Sequence, residues 1–154
     1  MYENNNQLIL TLIAESHALG EGPYCTVELW NCNDHPLWVN GRLAVNHPAS
    51  PPHLREIDFL IRDASGRVAE FGAKVRIGLP QKEDFVELGP GEALKRSSNL
   101  AFYYVLEAGK EYEAEAVYEN YFAPVELRGA PVWTGRLVSR PLIVTLAEAD
   151  RVPA

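Results

Sequence analysis

Apolar side chains recur at every second position through much of this chain, and the clearest run lies between Gly109 and Tyr118. Tyr112, Ala114, Ala116 and Tyr118 share one parity there, while Glu111, Glu113 and Glu115 share the other. Successive side chains of an extended strand point to opposite faces, so this spacing predicts one packed face and one wet face. The same reading gives strands from Leu8 to Ala14, from Tyr24 to Asn31 and from Leu37 to Val45, the last with Leu37, Val39, Leu43 and Val45 aligned. Arg55 to Arg62 sets Ile57, Phe59 and Ile61 against Glu56, Asp58 and Arg62. Asp63-Ala64-Ser65-Gly66 is turn chemistry, predicted to close a hairpin onto a strand from Val68 to Ile77. Phe85 to Leu88 reads as a short strand stopped by Gly89-Pro90-Gly91, a sequence suited to a type II turn. Glu92 to Asn99 reads as a loop or a little helix. Leu100 to Leu106, Lys110 to Tyr118, Trp133 to Ser139 and Leu142 to Leu146 read as strands, with Pro141 tolerable only at a strand start or edge. Helical periodicity is nearly absent, so the expected class is all-β.

Composition narrows this picture. A chain of 154 residues without an internal linker suits one domain, residues 1–154. A net charge of -7 disfavours a phosphate-tracking nucleic-acid binder, which needs a basic stripe. No apolar run approaches the roughly 18 residues of a membrane span. Met1 to Asn6 lacks the basic start and apolar stretch of a secretory signal, so the expected location is cytoplasmic, with no membrane partner. Cys25 shares parity with Val27 and Leu29 on the predicted core side, and Cys32 has the opposite parity. Seven residues of extended chain separate the two thiols by roughly 23 Å, far beyond disulfide reach. Free thiols are expected.

Three stretches together carry a resemblance. Phe85-Val86-Glu87-Leu88-Gly89-Pro90-Gly91-Glu92 precedes a corner in which Tyr112 follows Gly109 by three residues. The strand ending Ala116-Val117-Tyr118-Glu119-Asn120 comes next, then Trp133-Thr134-Gly135-Arg136-Leu137-Val138-Ser139-Arg140-Pro141. This order resembles the C-terminal half of bacterial immunoglobulin-like or fibronectin-III-like accessory domains, over roughly Phe85 to Leu146. The resemblance implies an antiparallel β-sandwich of two packed sheets with a tyrosine corner, in which the Tyr112 phenol hydrogen-bonds back across the connection. Its motifs are turns and core positions, and they bring no catalytic residue with them.

Chemistry-bearing patterns are sparse. Nucleophile elbows, zinc-protease helices, phosphate loops and paired Cys-x-x-Cys are all missing, so no catalytic residue is assigned. His35 beside Asp34, with His47 and His53 in the Pro-rich stretch Asn46 to Leu54, would make a zinc site only if the loops converged; the plainer reading of these and of His17 is solvent-exposed loop histidines, with no metal and no cofactor. The ladder Glu111, Glu113 and Glu115 reads chiefly as a solvated sheet face, offset by a cross-strand base such as Arg136 or Arg140. Trp30 and Trp38 flank the turn Asn31 to Pro36. They would form an outer docking surface if their strands paired directly, and would be largely buried if the strands belonged to different sheets. Tyr121 and Phe122, in the long connection Glu119 to Pro131, and Trp133 beyond it put aromatics at one end of the sandwich, either as binding anchors or as a lid over the core. The expected function is therefore non-enzymatic: a binding domain recognising another protein through end loops or an edge strand, with Tyr121, Phe122, Trp133, Trp30 and Trp38 as binding residues. The alternatives are an enzyme using the histidine-bearing loops and a carbohydrate-binding module stacking sugars on exposed indoles.

Overall fold

The computed structural model describes residues 8–15, 23–75 and 77–146. Nine strands form within them: β1 (Leu8–Ala14), β2 (Tyr24–Asn31), β3 (Leu37–Asn40), β4 (Ile57–Asp63), β5 (Phe85–Leu88), β6 (Ala93–Asn99), β7 (Glu111–Asn120), β8 (Gly135–Val138) and β9 (Leu142–Thr145). One helical turn, α1 (Leu100–Tyr103), and three 3-10 turns interrupt them. The fold is all-β, and every strand pairing is antiparallel. The sheets run β1-β2-β6, β3-β5 and β4-β7-β8, with β9 extending the last along β7; among the described residues none closes into a barrel.

Parity explains the core. Leu8 and Leu10 of β1, Cys25, Val27 and Leu29 of β2, Ile57, Phe59 and Ile61 of β4, and Tyr112, Ala114, Ala116 and Tyr118 of β7 all join one buried cluster. Leu37 and Val39 add β3 to it. Tyr112 is 5% exposed, and its hydroxyl accepts the Glu107 amide N–H at 2.8 Å, tying the turn to the strand that follows. The edge of β7 is shared: β8 pairs with Val117–Asn120 and β9 with Glu111–Ala114. Pro141 has no N–H to give the ladder. At the break, the Ser139 amide donates to Ala116 O, and the Ser139 hydroxyl accepts the Ala116 N–H and donates to Arg140 O.

Several expected elements differ. The third strand ends at Asn40, where the Asn40 side chain accepts the Arg42 N–H and Leu43 turns to a φ of 50°; Leu43 and Val45 are nonetheless buried. Of the expected strand from Val68 to Ile77, the described residues form only isolated bridges at Val68 and Phe71. Glu92 to Asn99, read as loop or helix, is mostly strand β6, paired along β2. Leu100 to Leu106, read as a strand, starts as α1 because Asn99 caps it, its side-chain oxygen accepting the Ala101 N–H. The base opposite the glutamate ladder is Arg62, across from Glu113, whereas Arg136 faces Glu119. Both cysteines are free, Cys25 buried and Cys32 exposed. No helix among the described residues is long and apolar enough to cross a membrane.

Candidate functional site

The connection leaving β7 is held at both ends by one buried side chain. Asn120, 1% exposed, donates from Nδ2 to Phe122 O at 3.0 Å and to Trp133 O at 2.8 Å. Trp133 stacks on Tyr118 with centroids 5.5 Å apart. Its amide donates to Trp38 O, and the Trp38 amide donates to Pro131 O, so β3 clasps the returning chain. Between these anchors a 3-10 turn, Val125–Leu127, buries Leu127. Phe122 leans on Phe85 of β5 at 6.4 Å. The result is a braced loop.

A second braced segment faces it. Leu79-Pro80-Gln81 runs into the 3-10 turn Lys82–Asp84, where the Asp84 carboxylate accepts the Gln81 N–H at 2.7 Å. The two segments wall a depression of about 590 Å³ lined by Leu79, Pro80, Phe122, Pro124 and Val125, with Lys82, Glu126 and Arg128 supplying charge. Val125 is 65% exposed and Leu79 47%. Such a surface can take an apolar side chain while the three charges orient its polar surroundings.

The residues singled out in the sequence are not brought together as one platform. Phe122 lines the end depression. Trp133 packs on the core. Tyr121 turns toward the outer face of the β4-β7-β8 sheet, where its hydroxyl donates to Glu119 at 2.9 Å. Trp30 and Trp38 lie in strands of different sheets, each half-buried, and the Trp30 indole N–H donates to Glu28 at 3.1 Å. Leu79 and Val125 went unnoticed in the sequence, although Gly78-Leu79-Pro80 marks a break before an apolar exposure.

A second depression, about 230 Å³, lies on the outer face of the β4-β7-β8 sheet, walled by Asn46, His47 and Arg55 and floored by Asp58, Glu119 and Arg136. Its charges answer one another. Arg55 and Arg136 each stand 3.9 Å from the Glu119 carboxylate. Asp58 accepts from the Tyr104 hydroxyl at 2.5 Å and from its neighbour's amide at 2.9 Å, and burial raises its pKa above the usual carboxylate value despite those bonds. Beside it the buried Glu56 accepts from Nε and Nη2 of the Arg42 guanidinium and from the Ala44 N–H. Arg42 also reaches Gly78 O, pinning the segment before the end depression. A network this closed locks the Asn46-to-Leu54 loop onto the sheet.

The histidines stay apart. His35 pairs with Asp34, His47 meets the edge of Phe71 while its Nδ1 accepts the Ala49 N–H, and His53 sits in the exposed turn Pro52–Leu54. Among the described residues no group of three or more His, Cys, Asp or Glu could hold a metal ion; His17 lies outside them. No protein-family model and no curated protein sequence matches the chain.

Proposed function

We propose that the chain is a single immunoglobulin-like β-sandwich whose role is non-enzymatic: it binds another protein at the depression between Leu79–Lys82 and Phe122–Arg128. The β1-β2-β6 and β4-β7-β8/β9 sheets sharing one core, with the Tyr112 corner between β7 and the turn before it, support the sandwich reading. The observation that carries the binding role is the pairing of exposed Leu79 and Val125 on loops held still by buried Asn120 and Leu127 and half-buried Arg42. A loose loop exposing apolar groups would collapse onto the protein. A braced one presents them, and preorganisation lowers the ordering entropy that binding costs. The polar groups of the sheet-face depression are engaged with one another, which favours recognition over chemistry. Exposed, unpaired Cys32 fits a reducing compartment such as the cytoplasm.

The test is site-specific photo-crosslinking in extract of the native cells, with the crosslinker at Val125 and a control at Thr145. A protein trapped at Val125, not at Thr145, and lost in Leu79→Glu with unchanged circular dichroism is the expected result. Equal trapping at both positions, or trapping that survives Leu79→Glu, removes the depression as the binding site.

A further inference from the structure

Among the described residues β1 is an edge strand. Its register with β2 places Glu15 opposite Tyr24, and the Glu15 N–H donates to Tyr24 O. Hydrogen-bonded and non-bonded pairs alternate along an antiparallel ladder. Ile9, Thr11 and Ile13 therefore bond to β2, while the N–H and C=O groups of Leu8, Leu10, Leu12 and Ala14 point away from it. Among the described residues those groups meet no other strand. An unguarded edge is a template for another strand, and proteins ordinarily blunt it with a charge, a proline or a bulge. Leu-Ile-Leu-Thr-Leu-Ile-Ala has none of these, and its outer face exposes Ile9 at 44% and Ile13 at 43%. Beside the edge runs an apolar groove of about 470 Å³, lined by Leu8 to Leu12 with Leu137, Val138 and Pro141.

We infer that this edge pairs with the same edge of a second copy, β1 running antiparallel to β1 across a two-fold axis at Thr11. The sequence is self-complementary in that register. Leu8 bonds to Ala14 of the other copy and Leu10 to Leu12, which uses every backbone group of the strand that points away from β2. Ile9 then falls beside Ile13 on the outer face, at both ends of the seam, and Thr11 meets Thr11 as a non-bonded pair.

Charge permits a copy of this chain at this place and opposes one elsewhere. The chain carries 21 acidic and 14 basic residues, so two copies repel over most of their surface. The seam itself is uncharged. Glu28, one strand in, is already satisfied within its own copy by Thr11, Trp30 and Lys95. The one charged residue lining the groove is Arg140, which attracts an acidic copy. The seam is short: seven residues span about 24 Å, and the area falls below the roughly 800 Å² per partner of a standard interface. The dimer is accordingly weak and concentration-dependent, with a Kd on the order of 10–100 μM.

Sedimentation of the full chain from about 5 μM to about 1 mM brackets that range. The mass should rise toward twice that of the chain, and Ile13→Lys, which puts an ammonium against Ile9 of the other copy, should hold it at the chain mass with an unchanged melting temperature. In a Cys32→Ser background, Thr11→Cys places two thiols at a pair whose Cα atoms lie about 4.5 Å apart, within disulfide range. It should crosslink at least about tenfold faster than Ile143→Cys on the opposite sheet, since proximity sets the rate. A chain that stays monomeric throughout overturns the inference, whether its Leu10 and Leu12 amides exchange freely or are protected by flanking segments of the same chain. So does crosslinking at position 11 no faster than at position 143.

Discussion

Asp58 shows how a residue on a nominally wet face becomes a liability. Its parity with Leu60 and Arg62 places it on the outer side of β4, but the loop from Asn46 to Leu54 covers it. Burial raises its pKa, the Tyr104 hydroxyl and Phe59 amide pull the other way, and Glu119 nearby adds to the rise. A carboxyl raised in the folded state binds its proton more tightly there than in the unfolded chain. Its ionised form therefore withdraws stability above the folded pKa, and the loss is relieved as pH falls through that pKa. Asp58→Asn keeps an oxygen for both hydrogen bonds and removes the charge. Thermal melts should place the Asn variant above wild type near pH 8, with the gap closing toward about pH 4, close to the unfolded carboxylate value. A variant that melts lower at pH 8 would mean that the Tyr104 bond needs the charge more than burial penalises it. Parity alone gave the face of Asp58; its cover comes from a loop anchored by Asn46, Glu56 and Arg42, whose partners lie 8 to 14 residues away, beyond the reach of a strand's alternation.

At the scale of elements, turns were the most legible part of the sequence and weakly amphipathic strands the least. Gly89-Pro90-Gly91-Glu92 forms the expected tight turn, with the Glu92 N–H donating to Gly89 O and Gly91 at a φ of 78°. A Cβ at Gly91 would meet nothing within 4 Å, so Gly91→Ala should cost stability through backbone strain alone, about 1 kcal/mol. Gly78 is equally open but lies outside the left-handed region; Gly78→Ala should be neutral or stabilise by a few tenths of a kcal/mol through the unfolded chain. Urea unfolding of the two variants checks the contrast, and equal losses would show that φ is not what distinguishes the two glycines. β6, which leaves this turn, escaped detection because Ala93-Leu94-Lys95-Arg96-Ser97-Ser98-Asn99 has little alternation; it is a strand because β2 pairs with it. The stretch after Gly66 alternates well and yet forms only bridges, since Gly72 interrupts it and Tyr104 is its partner at Phe71. The end depression was half visible in the same way: the long connection after β7 advertised itself, whereas the facing Leu79–Lys82 wall needs three-dimensional proximity.

The whole molecule poses the question of cooperativity, because among the described residues no named strand of one sheet pairs with a strand of another. Cys25 can answer it. It lies in the middle strand of the β1-β2-β6 sheet, is 0% exposed, and burial pushes its thiol pKa up to about 12, so it reacts only when that sheet opens. Cys32 is exposed and supplies an internal fast reference. Ile61 sits in β4 of the β4-β7-β8 sheet, fully buried in the same core cluster. Ile61→Ala should cost about 2–5 kcal/mol. If the β1-β2-β6 and β4-β7-β8 sheets open together, the rate of Cys25 labelling rises by the same free energy, between roughly 30-fold and several-thousand-fold at 1.4 kcal/mol per decade. Labelling that stays at the wild-type rate while the melt of Ile61→Ala shifts would mean that β1-β2-β6 survives the loss of its neighbour. The β1-β2-β6 layer would then be only weakly coupled to the rest, and the end loop, which Trp133 ties to Tyr118 of β7 and Trp38 ties to β3, would keep those anchors while that layer opened.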